Sequence, residues 1–166
     1  IKEIKEIGPL WGSWKTWRAC QTDNVVCHDL TKSGDLLKRN FQNSCNFYIP
    51  NDNWVKLNRP DNVRLYEGAF VDEFQPEEII AMHLASSQSD IVLLLGFDLT
   101  ELEPGPDKLV NNRAQHHRNL IRQAFINYAD VQWVIVDHLG KLDPNLAKME
   151  NVVTDNVDNI LSMFSS

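Results

Sequence analysis

The sequence predicts an α/β fold: one three-layer, Rossmann-like domain over residues 1–166, built on a mostly parallel sheet of about six strands. Three observations predict it. The apolar run Ile91-Val92-Leu93-Leu94-Leu95 is closed by Gly96-Phe97-Asp98. A strand buried on both faces needs no polar side, so it reads as continuous apolar sequence, and such strands occupy the middle of parallel sheets. Strand-like and helix-like segments alternate along nearly the whole chain, the order that right-handed βαβ crossovers require. Acidic residues follow several strand-like segments, at the end of the sheet where ligands of α/β proteins gather.

Taken in order, Glu3 to Ile7 is expected as a short first strand, and Gly8-Pro9-Leu10-Trp11-Gly12-Ser13 as a glycine-containing turn. Ser13 suits the N-cap of a short helix through Cys20. Asn24 to Cys27 reads as the second strand, ending at His28-Asp29. Thr31 to Phe41 places Leu36, Leu37 and Phe41 at helical spacing, with Gly34 as a weak point. Asn46 to Ile49 is the third strand, closed by Pro50. Val63-Arg64-Leu65-Tyr66 alternates, which marks a half-exposed strand near an edge.

Pro76 opens a helix, with Glu77 and Glu78 suited to the positive end of its dipole and Ile79, Ile80, His83 and Leu84 on one face. The Ile91 strand follows, then a polar loop from Thr100 to Lys108 broken by Pro104 and Pro106. A long helix is expected from Leu109 to Tyr128, with Val110, Ala114, His117, Ile121, Ala124 and Phe125 on one face. Val131 to Val136 is the next strand, ending at Asp137-His138. Val157, Ile160, Leu161 and Phe164 repeat at helical spacing in a last helix.

A chain of 166 residues can bury a sizeable core as one domain, and 43% hydrophobic and 23% charged residues are ordinary for a globular protein. No apolar stretch approaches a membrane span. Ile1 to Glu6 lacks the apolar segment of a secretory signal, and the three cysteines Cys20, Cys27 and Cys45 form no Cys-x-x-Cys pair. A reducing, cytoplasmic setting is expected. A net charge of −7 argues against general nucleic-acid binding, which favours basic surfaces. It leaves a nucleotide ligand open, because backbone amides also hold phosphates.

In a fold of this type the first βα turn would carry Gly8, Gly12 and Ser13, whose backbone N–H groups approach a phosphate. Asp29 falls where dinucleotide folds keep an acid for a ribose hydroxyl. The Gly-x-Gly-x-x-Gly pattern is absent, and a serine-capped tight turn explains the same residues. Trp11, Trp14 and Trp17 recur every third residue with Lys15 and Arg18 between them. They suit a stacking platform for a base, or a helix that covers the sheet; aromatic stripes are more often core. Asp98 is the expected catalytic or ligand-binding acid, beside Gly96, and suits loop capping equally. His116 is the second catalytic candidate, because it turns away from the apolar face that holds His117; His83 reads as structural. Asp29, Glu67, Asp98 and Asp137 are expected to converge on one rim, the default site of such a sheet. Acids there suit a divalent metal with a diphosphate, but no spacing requires one, and Cys20, Cys27 and His28 match no common zinc pattern. No metal ligand or cofactor is assigned.

From Pro76 to Phe164 the order is helix, apolar strand with Leu95-Gly96-Phe97-Asp98, loop, histidine-bearing helix, strand, and a final segment around Asn151-Val152-Val153. This half resembles the carboxyl half of bacterial sialyltransferases and the related Rossmann-like archaeal pterin diphosphokinases. The resemblance implies a nucleotide site bordered by Gly96 and Asp98 and a reaction served by His116 or His117. The amino half departs from those families: Gly-Pro-Leu-Trp-Gly-Ser stands where they tend to have a Gly-Asn-Gly-Pro-Ser type of loop. The Trp-Gly-Ser-Trp-Lys-Thr-Trp stretch looks more like phage and marine environmental proteins.

The expected function is binding of a nucleotide or nucleotide-sugar at the carboxyl rim. The reaction class is glycosyltransferase-like group transfer, with Asp98 or His116 as base. The rival is a non-catalytic module of the same fold that binds a protein partner or oligomerises. Fold does not decide between them. What decides is whether the tryptophans and rim carboxylates enclose one pocket.

Overall fold

A computed structural model describes residues 5–67, 76–101, 103 and 105–164. The chain divides into two compact units, Ile1–Met82 and His83–Ser166. Each holds its own parallel sheet, one of four strands in the order β1-β2-β3-β4 and one of three in the order β5-β6-β7. The described strands thus form two sheets where the sequence predicts one of about six strands.

The first unit runs β1 (Trp11–Ser13), α1 (Trp14–Cys20), β2 (Asn24–Val26), α2 (Leu30–Leu37), a 3-10 turn (Phe41–Asn43), β3 (Asn46–Pro50), α3 (Asn51–Lys56) and β4 (Arg64–Tyr66). Its strands are added one after another in a single direction. With right-handed crossovers, that order puts every connecting helix on the same side of the sheet. The core confirms this geometry. Val25 and Cys27 on β2 and its end share a face with Phe47 and Ile49 on β3, and Trp14, Trp17, Leu36, Leu37, Trp54 and Leu57 of the three helices pack there. Phe41 stands edge-on to both Trp17 and Phe47, at centroid distances of 4.7 and 5.3 Å. Gly34 meets this packing closely: a Cβ there would lie 3.2 Å from the Leu57 side chain.

Ser13 caps α1 as expected, its hydroxyl accepting from the Thr16 N–H. The segment before it differs from expectation. Trp11–Ser13 is a strand paired with Asn24–Val26, not a turn. Of the expected Glu3–Ile7 strand, Glu3 and Ile4 lie outside the described residues, and Lys5 to Ile7 form a helical turn. A strand of three residues is too short to show alternation, so Pro9 and Gly12 dominate the reading. Arg64–Tyr66 is an edge strand, as its alternating pattern predicts. The Thr31–Phe41 helix stops at Leu37, and α3 was not foreseen.

The unit boundary falls inside α4 (Glu77–Ser86). This helix is buried at Ile79, Ile80, Ala81, Met82, His83 and Ala85, so its apolar surface exceeds the one face expected. The second unit continues with β5 (Ile91–Leu95), α5 (Lys108–Asn127), β6 (Gln132–Val136), β7 (Val152–Asp155) and α6 (Val157–Phe164). α5 covers the face that carries Trp133, whose ring lies 4.8 Å from that of Phe125. Asn151 fastens the α5–β6 turn by donating to the carbonyls of Phe125, Tyr128 and Val131.

β6, not β5, is the middle strand of this sheet. Ile91 and Leu95 are 48% and 40% exposed, while Leu94 is 2% exposed. An all-apolar run has no polar positions to mark its open face, so burial on one face and on two read alike. The four rim acids accordingly fall in two pairs. Asp29 and Glu67 follow β2 and β4 in the first sheet, and Asp98 and Asp137 follow β5 and β6 in the second. Neither sheet contains, among the described strands, the reversal of order at which doubly wound folds open their crevice.

Leu94 carries the inward face of β5. Leu94→Ala should cost about 2–5 kcal/mol through lost burial and a residual cavity. Urea denaturation checks this, and a loss below about 1 kcal/mol would show that the site collapses or is not core.

Candidate functional site

A parallel strand must leave the sheet at its carboxyl edge, and the helix that returns the chain starts near that edge. Residues just after strands and in the first turns of crossover helices therefore meet there. In the first unit they form a partly buried polar network. His28 follows β2, and its backbone N–H donates to Glu77 Oε1 at 3.0 Å. Its carbonyl accepts from Asn53 Nδ2 at 2.7 Å, and Asn53 is itself buried on α3. Its ring Nδ1 lies 3.4 Å from the Tyr66 hydroxyl at the end of β4. Three elements, α4, α3 and β4, thus fix one histidine by backbone and side chain together.

Glu77 is the electrostatic centre of this network. Burial raises its carboxyl above the ordinary glutamate value; hydrogen bonds from the His28 N–H and the Cys27 thiol and the nearby Lys15 charge oppose that shift. Burial, with the Glu77 charge beside it, also holds the Tyr66 phenol protonated. Burial pushes the Cys27 thiol up to about 12, so it is no thiolate nucleophile at neutral pH. The arrangement offers one half-buried acid that can hold or release a proton, beside an imidazole and a phenol that can relay or orient it.

The acids singled out from the sequence serve largely as caps. Asp29 Oδ1 accepts from the Lys32 N–H at 2.6 Å and caps α2. Asp137, in the left-handed conformation, accepts from the Val157 N–H at the start of α6. Asp98 accepts from the Thr100 N–H at 3.1 Å; the Thr100 hydroxyl and N–H hold its exposed carboxyl below the usual range. Glu67 is exposed directly after β4. His116 is exposed on α5, and among the described residues no hydrogen bond or ion pair joins it to Asp98.

Gly12 is required by packing, because a Cβ there would fall 2.8 Å from Thr16 Cβ. Gly8 lies in a bend before β1, on the strand's amino side, and does not share the β1–α1 junction with Gly12 and Ser13. Gly96 is required by its backbone, with φ +72° and open space where a Cβ would be.

The three tryptophans do not enclose one pocket. Trp11 leans on Tyr48, Trp14 lies under the Lys32 ammonium at 3.9 Å, and Trp17 packs on Phe41. A cavity of about 720 Å³, lined by Lys5, Trp17, Thr22, Asp23, Cys45 and Asn46, opens at the amino ends of β2 and β3. That is the opposite end of the strands from Asp29 and Glu67. Among the described residues no group of three or more His, Cys, Asp or Glu side chains is placed to hold a metal ion. Nor is any helix among them long and apolar enough to cross a membrane.

His28, Asn53, Tyr66 and Glu77 were not singled out as a site from the sequence. The available signal was positional. Glu77 opens a crossover helix, and His28 ends a strand, so both fall at the carboxyl edge. No family model, curated protein or solved structure matches the chain.

A raised carboxyl has a definite pH signature. The native state holds the Glu77 proton more tightly than the unfolded chain does. Its stabilising contribution is full below the ordinary value of 4.5 and is lost as pH rises through the raised native value. Glu77→Gln keeps the shape and removes this slope, so the variant should gain stability on the parent as pH rises from the ordinary value of 4.5 through the raised native value. Urea denaturation across that range checks it; a difference independent of pH would contradict a carboxyl with raised proton affinity.

Proposed function

We propose that the carboxyl rim of the first sheet binds a nucleotide or nucleotide-sugar for group transfer, with Glu77 as the group that handles the proton. The observation that carries this reading is the half-buried Glu77 carboxyl, held by the His28 N–H beside Tyr66 at the strand ends. A carboxyl whose proton affinity is raised by burial suits acid–base work. Asp29 adds a second, exposed carboxylate whose Oδ2 is available to ribose hydroxyls while Oδ1 caps α2. Lys15 and Lys32 supply positive charge for phosphates. The reading takes the chain as Rossmann-like, supported by the parallel β1–α1–β2 and β2–α2–β3 units and by the resemblance around Gly96 and Asp98. It moves the proton-handling role from Asp98 and His116 to Glu77, because Asp98 is exposed and engaged by Thr100.

Thermal-shift and calorimetric titration with ribonucleotides and sugar nucleotides, with and without Mg²⁺ or Mn²⁺, test it. At least one ligand should raise the melting temperature saturably. Asp29→Asn, which keeps the cap, should weaken that ligand by roughly tenfold, the scale of one charged hydrogen bond. Glu77→Gln should retain binding and lose turnover. Absence of any nucleotide response would remove the reading.

A second reading, an oligomerising module, is favoured by one observation. Ile91, Leu95 and Val153 are 48%, 40% and 44% exposed on the same face of the second sheet. A second copy covering that face would give a dimer by light scattering, and a monomer at every concentration would remove this alternative.

A further inference from the structure

In the second unit, Arg118 on α5 is 7% exposed, and its Nη1 is buried with no hydrogen-bond partner in the protein. A guanidinium nitrogen removed from water without a partner is unfavourable, so such a group calls for an anion. Among the described residues no ion pair joins Arg118 or the neighbouring Arg122 to a carboxylate. Arg118 lines a cavity of about 30 Å³ with Gln115, Asn119, Arg122, Asp143 and Asn145.

The four α5 residues lie at i, i+3, i+4 and i+7, so they form one stripe of the helix. Gln115 and Asn119 are tied side chain to side chain at 3.1 Å. Across the cavity, Asp143 Oδ1 accepts from the Asn145 N–H at 2.8 Å, which occupies part of the one carboxylate in the lining. Asp98 is a second acid within electrostatic range of Arg118, but its carboxyl is exposed and solvent screens it. The lining therefore sets two guanidinium groups and three side-chain amides against one carboxylate.

We propose that this cavity is an oxyanion site that takes the terminal group of a phosphate or phosphate monoester. A volume of about 30 Å³ admits one or two water-sized groups, enough for one or two oxygens of a phosphoryl tip and too small for a base or a sugar. Arginine suits this role because its planar fork donates two parallel hydrogen bonds to one oxyanion. The inference rests on the second unit alone and is independent of the role of Glu77.

The experiment is thermal shift and calorimetry of the full chain with inorganic phosphate, against sodium chloride and sodium acetate at matched ionic strength. Phosphate should stabilise the protein saturably, and the other two salts should not. Arg118→Met removes a buried, unpaired charge at similar volume. It should therefore melt no lower than the parent without phosphate and lose the phosphate response. Arg122→Gln changes an exposed residue, so it keeps the test decisive if Arg118→Met does not fold, and it should weaken phosphate by roughly tenfold. An equal response to chloride, a response to acetate instead of phosphate, or a phosphate response unchanged in both variants would overturn the proposal. So would a marked drop in the melting temperature of Arg118→Met without phosphate, because that would show the guanidinium to be paired within the fold.

Discussion

Every strand of the first sheet points the same way, and each is added on the same side of its predecessor. Much of the first unit follows from that constraint. Right-handed crossovers then place α1, α2 and α3 on one face, where their tryptophans and leucines meet Val25, Phe47 and Ile49. Every strand must also end in a turn that feeds a helix or loop at the same edge. Backbone groups at those junctions need partners, and short acidic or hydroxyl side chains supply them. Ser13, Asp29 and Asp137 are each explained by this local need.

The same constraint concentrates polar groups that capping does not explain. Glu77 is not a cap of its own helix; it reaches the backbone of His28, 49 residues away in sequence. Asn53 and Tyr66 converge on the same histidine from α3 and β4. A half-buried carboxyl with raised proton affinity lowers stability once it ionises, and its replacement by an amide would relieve this. A residue that lowers stability at the edge where α/β proteins bind ligands is a candidate for function on physical grounds. Asp98, by contrast, sits in water and serves its own loop.

Much of the secondary structure was legible because it depends on local pattern. Ser13 before Trp14, the Asn24–Cys27 and Asn46–Ile49 strands, the acidic first turn at Glu77 and the helix around Ile121 and Phe125 follow from caps and periodicity. The sheet organisation was not legible. Ile91 to Leu95 is apolar at every position, and nothing local distinguishes a central strand from an outer one with Ile91 and Leu95 open. Trp11–Ser13 is too short to announce a strand. Of the candidate site, His28 and Asp29 were visible as a strand end, but their meaning depends on Glu77, Asn53 and Tyr66, which only the folded chain brings near. Arg118 was hidden differently: a charge within a helical stripe of Ala114, Ile121 and Phe125 reads as an interruption of the core, not as part of it.

Glu77 is a half-buried carboxyl with raised proton affinity at the rim of the first sheet. Its side-chain carboxyl carbon can be followed by NMR as pH is varied in the full chain, with Glu77→Gln identifying the resonance. A titration midpoint above the ordinary glutamate value of 4.5 is expected, with the His28 backbone amide responding in the same transition. A midpoint at or below that value, or a His28 amide indifferent to it, would contradict the account.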